Sequence, residues 1–187
     1  MRSDALLGVL LMALLTAPAH AEVIESIPAV VDGRPLLLSE VRLVERVRGL
    51  EPAAALDALI DEWLMFREAL RLPQAATSAE AEARAHADLL ERDPALADCP
   101  EADLRRLVHR QAAILAYVEF RYRPQVRITD AAIREAYAAR YADDAAAPPL
   151  ETVQDALRQR LADQRLSELI EAWVRDLRAA ADIRKNP

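Results

Sequence analysis

A chain of 187 residues with a formal net charge of −7 is large enough for one domain with a real core. That acidic balance leaves no electrostatic footprint for nucleic acid or for an anionic lipid surface. The single cysteine, Cys99, excludes an intramolecular disulfide, and only three glycines exclude a fold built on many tight turns. Ala, Leu, Arg and Glu dominate instead, and all are strong helix formers.

The first segment, Met1 to Asp4, is short and polar and carries Arg2. An apolar run follows from Ala5 to Ala17, and Ala19 and Ala21 then supply small residues at alternate positions. This order is that of a secretory signal peptide over residues 1–21, cleaved after Ala21. The run falls short of the roughly 20 residues that a membrane-spanning helix needs, so no membrane anchor is expected after cleavage.

The mature chain would open on two short apolar runs, Ile27 to Val31 and Leu36 to Leu38, separated by Asp32-Gly33-Arg34-Pro35. Asp-Gly favours the positive backbone angles of a hairpin turn, and Pro28 and Pro35 confine these runs to strand ends or to an edge. Ser39 is placed to cap a helix from Glu40 to about Leu50. A second helix, about Ala53 to Leu72, carries Leu56, Leu59, Ile60, Trp63, Phe66 and Leu70 at helical spacing. Asp57, Asp61 and Glu62 fall on what reads as its solvated side. Thr77 and Glu80 have capping-box spacing for a third helix to about Arg92, which is weakly apolar and expected at the surface.

A fourth helix, from near Pro100 to about Tyr122, has apolar positions at Leu104, Leu107, Val108, Ile114, Leu115, Tyr117, Val118 and Phe120. Cys99 reads as a loop thiol just before it. Thr129 can cap a fifth helix through Ile133, Tyr137 and Tyr141. Residues 143–150 form an Ala- and Pro-bearing linker. The last helix, about Glu151 to Ala181, has apolar positions at Val153, Leu157 and Leu161 and later at Leu166, Leu169, Ile170, Trp173 and Leu177. The five-residue step from Leu161 to Leu166 turns the apolar face by about 140°, so the helix should meet different neighbours along its length. Ala181 to Arg184 suits a short strand adding to the first hairpin.

Catalytic signatures are missing: the chain has no Gly-rich phosphate loop, no histidine pair at metal spacing and no nucleophile elbow. No catalytic residue, metal ligand or cofactor is therefore assigned, and the sequence does not read as an enzyme. Several segments in order do carry a resemblance. Ala29 to Val41 (AVVDGRPLLLSEV) resembles the opening of the SurA-type periplasmic chaperones, where a hairpin leads into a helix beginning Ser-Glu/Asp-Val. Ala55 to Glu62, Val126 to Tyr137, and the returning segments Val153 to Leu161, Trp173 to Leu177 and Ala181 to Arg184 are similar to that family's later elements. The parvulin domains of full-length members would fall between the fifth and last helices, but residues 143–150 are too few for a domain of roughly 50 residues or more.

The resemblance implies a mainly α fold, like the SurA N-terminal domain and the trigger-factor C domain, with a small N-terminal hairpin joined by a C-terminal strand. Residues 22–142 would form the helical chaperone domain, and residues 151–187 would pack back on it. It implies a periplasmic holdase that binds unfolded exported or outer-membrane polypeptides and lacks prolyl-isomerase activity. Among the aromatic residues, Trp63, Phe66 and Trp173 are expected in the core. Tyr117, Phe120, Tyr122, Tyr137 and Tyr141 flank the linker junction and are candidates for a client-binding lining. From other classes, the sequence also admits a dedicated periplasmic adaptor or assembly subunit that binds one folded partner in an export or polysaccharide system, or an enzyme whose site is assembled from distant residues.

Overall fold

Asp32 and Gly33 both adopt positive φ, 48° and 82°, and fold the chain back into the hairpin that Asp-Gly predicts. Its strands are β1 (Ala29–Val31) and β2 (Arg34–Leu36), shorter than the two apolar runs. Pro28 lies just before β1, and Pro35 sits opposite Val30 in β2, an edge strand. The structure, a computed structural model, describes residues 25–73, 76–142 and 146–186. The signal peptide expected over residues 1–21 and the start of the linker, residues 143–145, lie outside them. On the other side of β1 runs β3 (Ile183–Lys185), antiparallel, giving the sheet order β2-β1-β3. The terminal segment therefore does add to the hairpin, one to two residues beyond the expected span.

The helices are α1 (Leu38–Arg48), α2 (Pro52–Ala69), α3 (Ala79–Arg92), α4 (Glu101–Arg121), α5 (Asp130–Tyr141) and α6 (Leu150–Ala180). The fold is mainly helical with a small three-stranded antiparallel sheet. Two expected caps are corrected. Ser39 lies inside α1, and it is Glu40 whose carboxylate accepts the Leu37 N–H, at 3.1 Å. α1 ends at Gly49, whose φ of 63° suits the left-handed cap that glycine takes without strain. At α3 the cap is Ser78, which accepts from the Ala81 N–H at 3.1 Å, while the Thr77 hydroxyl turns to Glu82. Thr129 caps α5 as its position predicts, accepting from the Ala132 N–H at 3.2 Å.

α2 is the central helix, packed against α1, α4 and α6. Its Ala55, Leu59, Ile60 and Leu64 join Ala29, Val31 and Leu36 of the sheet and Val41 and Val44 of α1 in the main core. Such a helix buries its polar side as well, and this corrects the expectation for Glu62. Only 1 % of its side chain is exposed, and it lies between Arg110 of α4, at 2.5 Å, and Arg48 of α1. A second core joins Leu43 of α1 to Leu104 and Leu107 of α4 through Leu96 in the short 3-10 turn Pro94–Asp98. Cys99 closes that turn, and Arg46 of α1 donates to its Sγ at 3.1 Å. α3 buries no residue, as its weak apolar pattern predicts.

The last helix changes neighbours along its length. Its first half packs against α5, where Ile133 and Leu157 are buried, and its second half packs against α2. In that second half Leu166 and Trp173 join Val118 of α4 in a further core cluster. Polar ties then fasten the end of the chain. Arg178 donates to Asp57 at 3.0 Å and pairs with Asp61, and Lys185 donates to Asp57 at 2.8 and 2.9 Å. Asp32 accepts the Asp182 N–H at 2.8 Å and pairs with Arg67.

The Asp182 N–H and the Arg67 guanidinium hold the Asp32 carboxyl below its ordinary range, and Lys185 and then Arg178 do the same for Asp57. A depressed folded-state value means that each contributes stability above the unfolded value of about 3.9 and loses it as pH falls through the folded value. Both side chains are partly exposed, so each contribution is small. The expected outcome is that β3 loosens below about pH 4, seen as faster amide exchange of Ile183 to Lys185 than at pH 7 once intrinsic rates are corrected. In the Asp32→Asn, Asp57→Asn double variant that difference between the two pH values should disappear.

Candidate functional site

Apolar residues on α4 spread around more of its circumference than one neighbour can cover. Leu104 and Leu107 meet α1 and the 94–98 turn, while Val118 and the half-buried Ile114 meet α2 and α6. Leu115 finds no such cover and stays 61 % exposed. It stands where two hollows meet. One, of about 510 Å³, lies between α3 and α4 over Ala81, Ala85 and Leu89 on one side and Val108, Ala112 and Ala116 on the other. The second, of about 300 Å³, runs between α2, α4 and α6 over Met65, Ile114, Val118, Leu166 and Ile170. Met65 and Ile170 also line a third hollow of about 490 Å³ between α2 and α6. The first two share Leu115 and Glu119 and form a groove across α4 with a largely aliphatic floor, while the third is rimmed by Arg48, Asp61, Glu171, Arg175 and Arg178.

Charges at this groove are mostly paired with each other. Glu119 and Arg123 form an ion pair at 2.7 Å on the rim, and the arginine holds the Glu119 carboxyl below its ordinary range. Arg48 and Glu62, at the edge of the hollow between α2 and α4, belong to the buried ion triad described above. At the α3 side, His109 Nδ1 lies 2.8 Å from Glu82 Oε1, and the Thr77 hydroxyl first and His109 second keep the Glu82 carboxyl low. This contact ties α3 to α4 across the groove wall. The groove thus offers apolar contact with self-neutralised edges, which suits a polypeptide segment of unspecified sequence better than a charged small molecule.

The five aromatic candidates occupy three separate places. Tyr117 stacks on Trp173 at 4.9 Å between ring centroids, and Tyr122 packs on the same indole at 5.3 Å. Both are half-buried parts of the core cluster around Val118. Phe120 is 53 % exposed but lies about 140° around the helix from Leu115, outside the groove. Tyr137 and Tyr141 pair at 5.0 Å on α5, and the Tyr137 hydroxyl donates to the Pro148 carbonyl at 2.8 Å. Phe66 and Trp173 are buried and Trp63 is half-buried beneath the Arg34 guanidinium, 3.6 Å from its centroid. The groove is built instead from aliphatic residues, of which Met65 and Leu115 had no individual signal beyond their apolar character.

Among the described residues no group of histidine, cysteine and acidic side chains is placed to hold a metal ion, and no helix is long and apolar enough to cross a membrane. No protein-family model matches the chain, and a search among curated proteins finds no match.

Proposed function

We propose that the chain is a periplasmic holdase that takes unfolded exported or outer-membrane polypeptides into the groove across α4 and has no prolyl-isomerase activity of its own. The observation that carries this reading is the open aliphatic groove with Leu115 exposed at its centre. The ordered resemblance of the hairpin, the second and fifth helices and the returning end to the SurA-type chaperones supports it. The pairing of β3 with β1 brings the returning end onto the hairpin, as that resemblance implies for its last element.

The energetics suit reversible capture. A few hundred Å² of apolar surface at about 25 cal/mol per Å² gives roughly 8–15 kcal/mol. Association and ordering cost about 4–15 kcal/mol. The small surplus lets a client leave without an energy source, and the periplasm supplies no ATP.

The test is suppression of aggregation by the chain from Glu22 onward, against unfolded outer-membrane barrels and unrelated unfolded proteins, with a proline-isomerisation assay alongside. Suppression of several unrelated clients without isomerase activity is the expected result. Failure with every client overturns the holdase, and capture of one folded protein at fixed stoichiometry would replace it with a dedicated adaptor.

A further inference from the structure

A separate hollow of about 330 Å³ lies between α5 and the first half of α6, away from the α4 groove. Its apolar surface comes from Ala136 and Ala139 on α5 and from Leu157 and Leu161 on α6. Its polar members are Arg140, Arg160 and Gln164, all able to donate hydrogen bonds, with no acidic side chain among the described residues of the lining. Three other arginines of α6 are committed: Arg158 pairs with Asp155 at 2.7 Å and Asp130 at 3.5 Å, Arg165 pairs with Glu168 at 2.9 Å, and Arg178 pairs with Asp57 and Asp61. Arg160 and Arg140 make no ion pair with any described residue, and Arg140 rests over the Tyr141 ring at 5.7 Å from its centroid. In a chain of net charge −7, this is an apolar recess whose described lining carries two positive charges and no negative one.

We infer that this recess is a binding site for a carboxylate that carries an apolar group, and that its occupant is the carboxyl-terminal residue of a polypeptide client. The apolar side chain fills the floor over Leu157 and Leu161, and the chain-terminal carboxylate lies between the two guanidiniums, which bind carboxylates in a planar, forked geometry. An internal apolar residue has no carboxylate of its own and an internal Asp or Glu has no apolar side chain, so the combination the recess fits is found at chain ends. The choice of a polypeptide over another apolar acid rests on the holdase reading. Within that reading, the α4 groove holds the body of the client and this recess holds its end.

Fluorescence anisotropy with a short peptide ending in an apolar residue tests the site on the chain from Glu22 onward. The free-acid peptide should bind about tenfold or more tightly than its C-terminal amide. The Arg140→Gln, Arg160→Gln double variant should lose that preference, and Arg140→Lys, Arg160→Lys should keep part of it, with thermal unfolding unchanged in both. Equal binding of acid and amide, or an unchanged preference in the glutamine variant, overturns the inference. Octanoate in place of the peptide forms a third arm: binding of octanoate without the free-acid peptide would overturn the choice of a chain end. Aggregation suppression by the wild-type chain is read separately. Suppression without an acid preference removes this site and leaves the holdase, whereas acid preference without suppression leaves the site and removes the holdase.

Discussion

Arg110→Ala is expected to lower the unfolding free energy by about 3 kcal/mol, measured by urea denaturation at pH 7. Arg110 is 8 % exposed and supplies the more deeply buried partner of Glu62, whose side chain is 1 % exposed. Removing it leaves a buried carboxylate with Arg48 alone, which is itself 38 % exposed and holds only the other oxygen. Uncompensated buried charge costs more than the pair contributes, since both ions were desolvated on folding. The double change Glu62→Leu with Arg110→Met should therefore recover most of the loss, because it removes both charges and keeps the volume. A double variant as unstable as the single one would show that the helices are held by something other than this charge balance. These three side chains sit at the junction of α1, α2 and α4, the frame on which the groove is built.

For the proposed holdase, Leu115→Asp is expected to weaken binding of an unfolded client about tenfold or more while changing stability by less than about 0.5 kcal/mol. A leucine moved from solvent into a client interface contributes about 1.5–3 kcal/mol, and an aspartate there must be desolvated without a partner. Leu115 is 61 % exposed in the absence of a client, so its replacement leaves no hole in the core. Phe120→Asp is the matched control, at 53 % exposure on another side of the same helix. If the two variants lose binding equally, the groove does not take the client, and general surface hydrophobicity accounts for the affinity.

The parts of this fold that local chemistry dictates were legible in the sequence. Asp32-Gly33 forces the hairpin through its positive φ angles, and the five-residue step between Leu161 and Leu166 marks where α6 exchanges α5 for α2. Features set by distant partners were not. Glu62 reads as a solvated acid because its arginines are 14 and 48 residues away in sequence. Periodicity was also blind to the groove. Leu104 and Leu115 lie within about 20° of each other on the α4 wheel, yet one is 1 % exposed and the other 61 %. An apolar pattern identifies which side of a helix is greasy; how far along that side a neighbour extends is decided by where α1 and the 94–98 turn stop. The aromatic candidates failed to converge for a related reason. Tyr117 and Tyr122 are drawn to the large flat surface of Trp173 on α6, some fifty residues on, a partner their own spacing cannot announce.

The central strand of the sheet is bordered by one partner three to seven residues away and another about a hundred and fifty residues away, Val31 facing both Arg34 and Ile183. The first pairing is local and forms within microseconds, whereas the second must wait for every intervening helix to be laid down. In a chain synthesised amino end first, Ala29 to Val31 would present an unsatisfied edge throughout that interval. Such an edge is itself a template for other extended chains. Completion of this small sheet thus waits for Ile183 to Lys185, and a nascent molecule would be most prone to self-association just before they arrive.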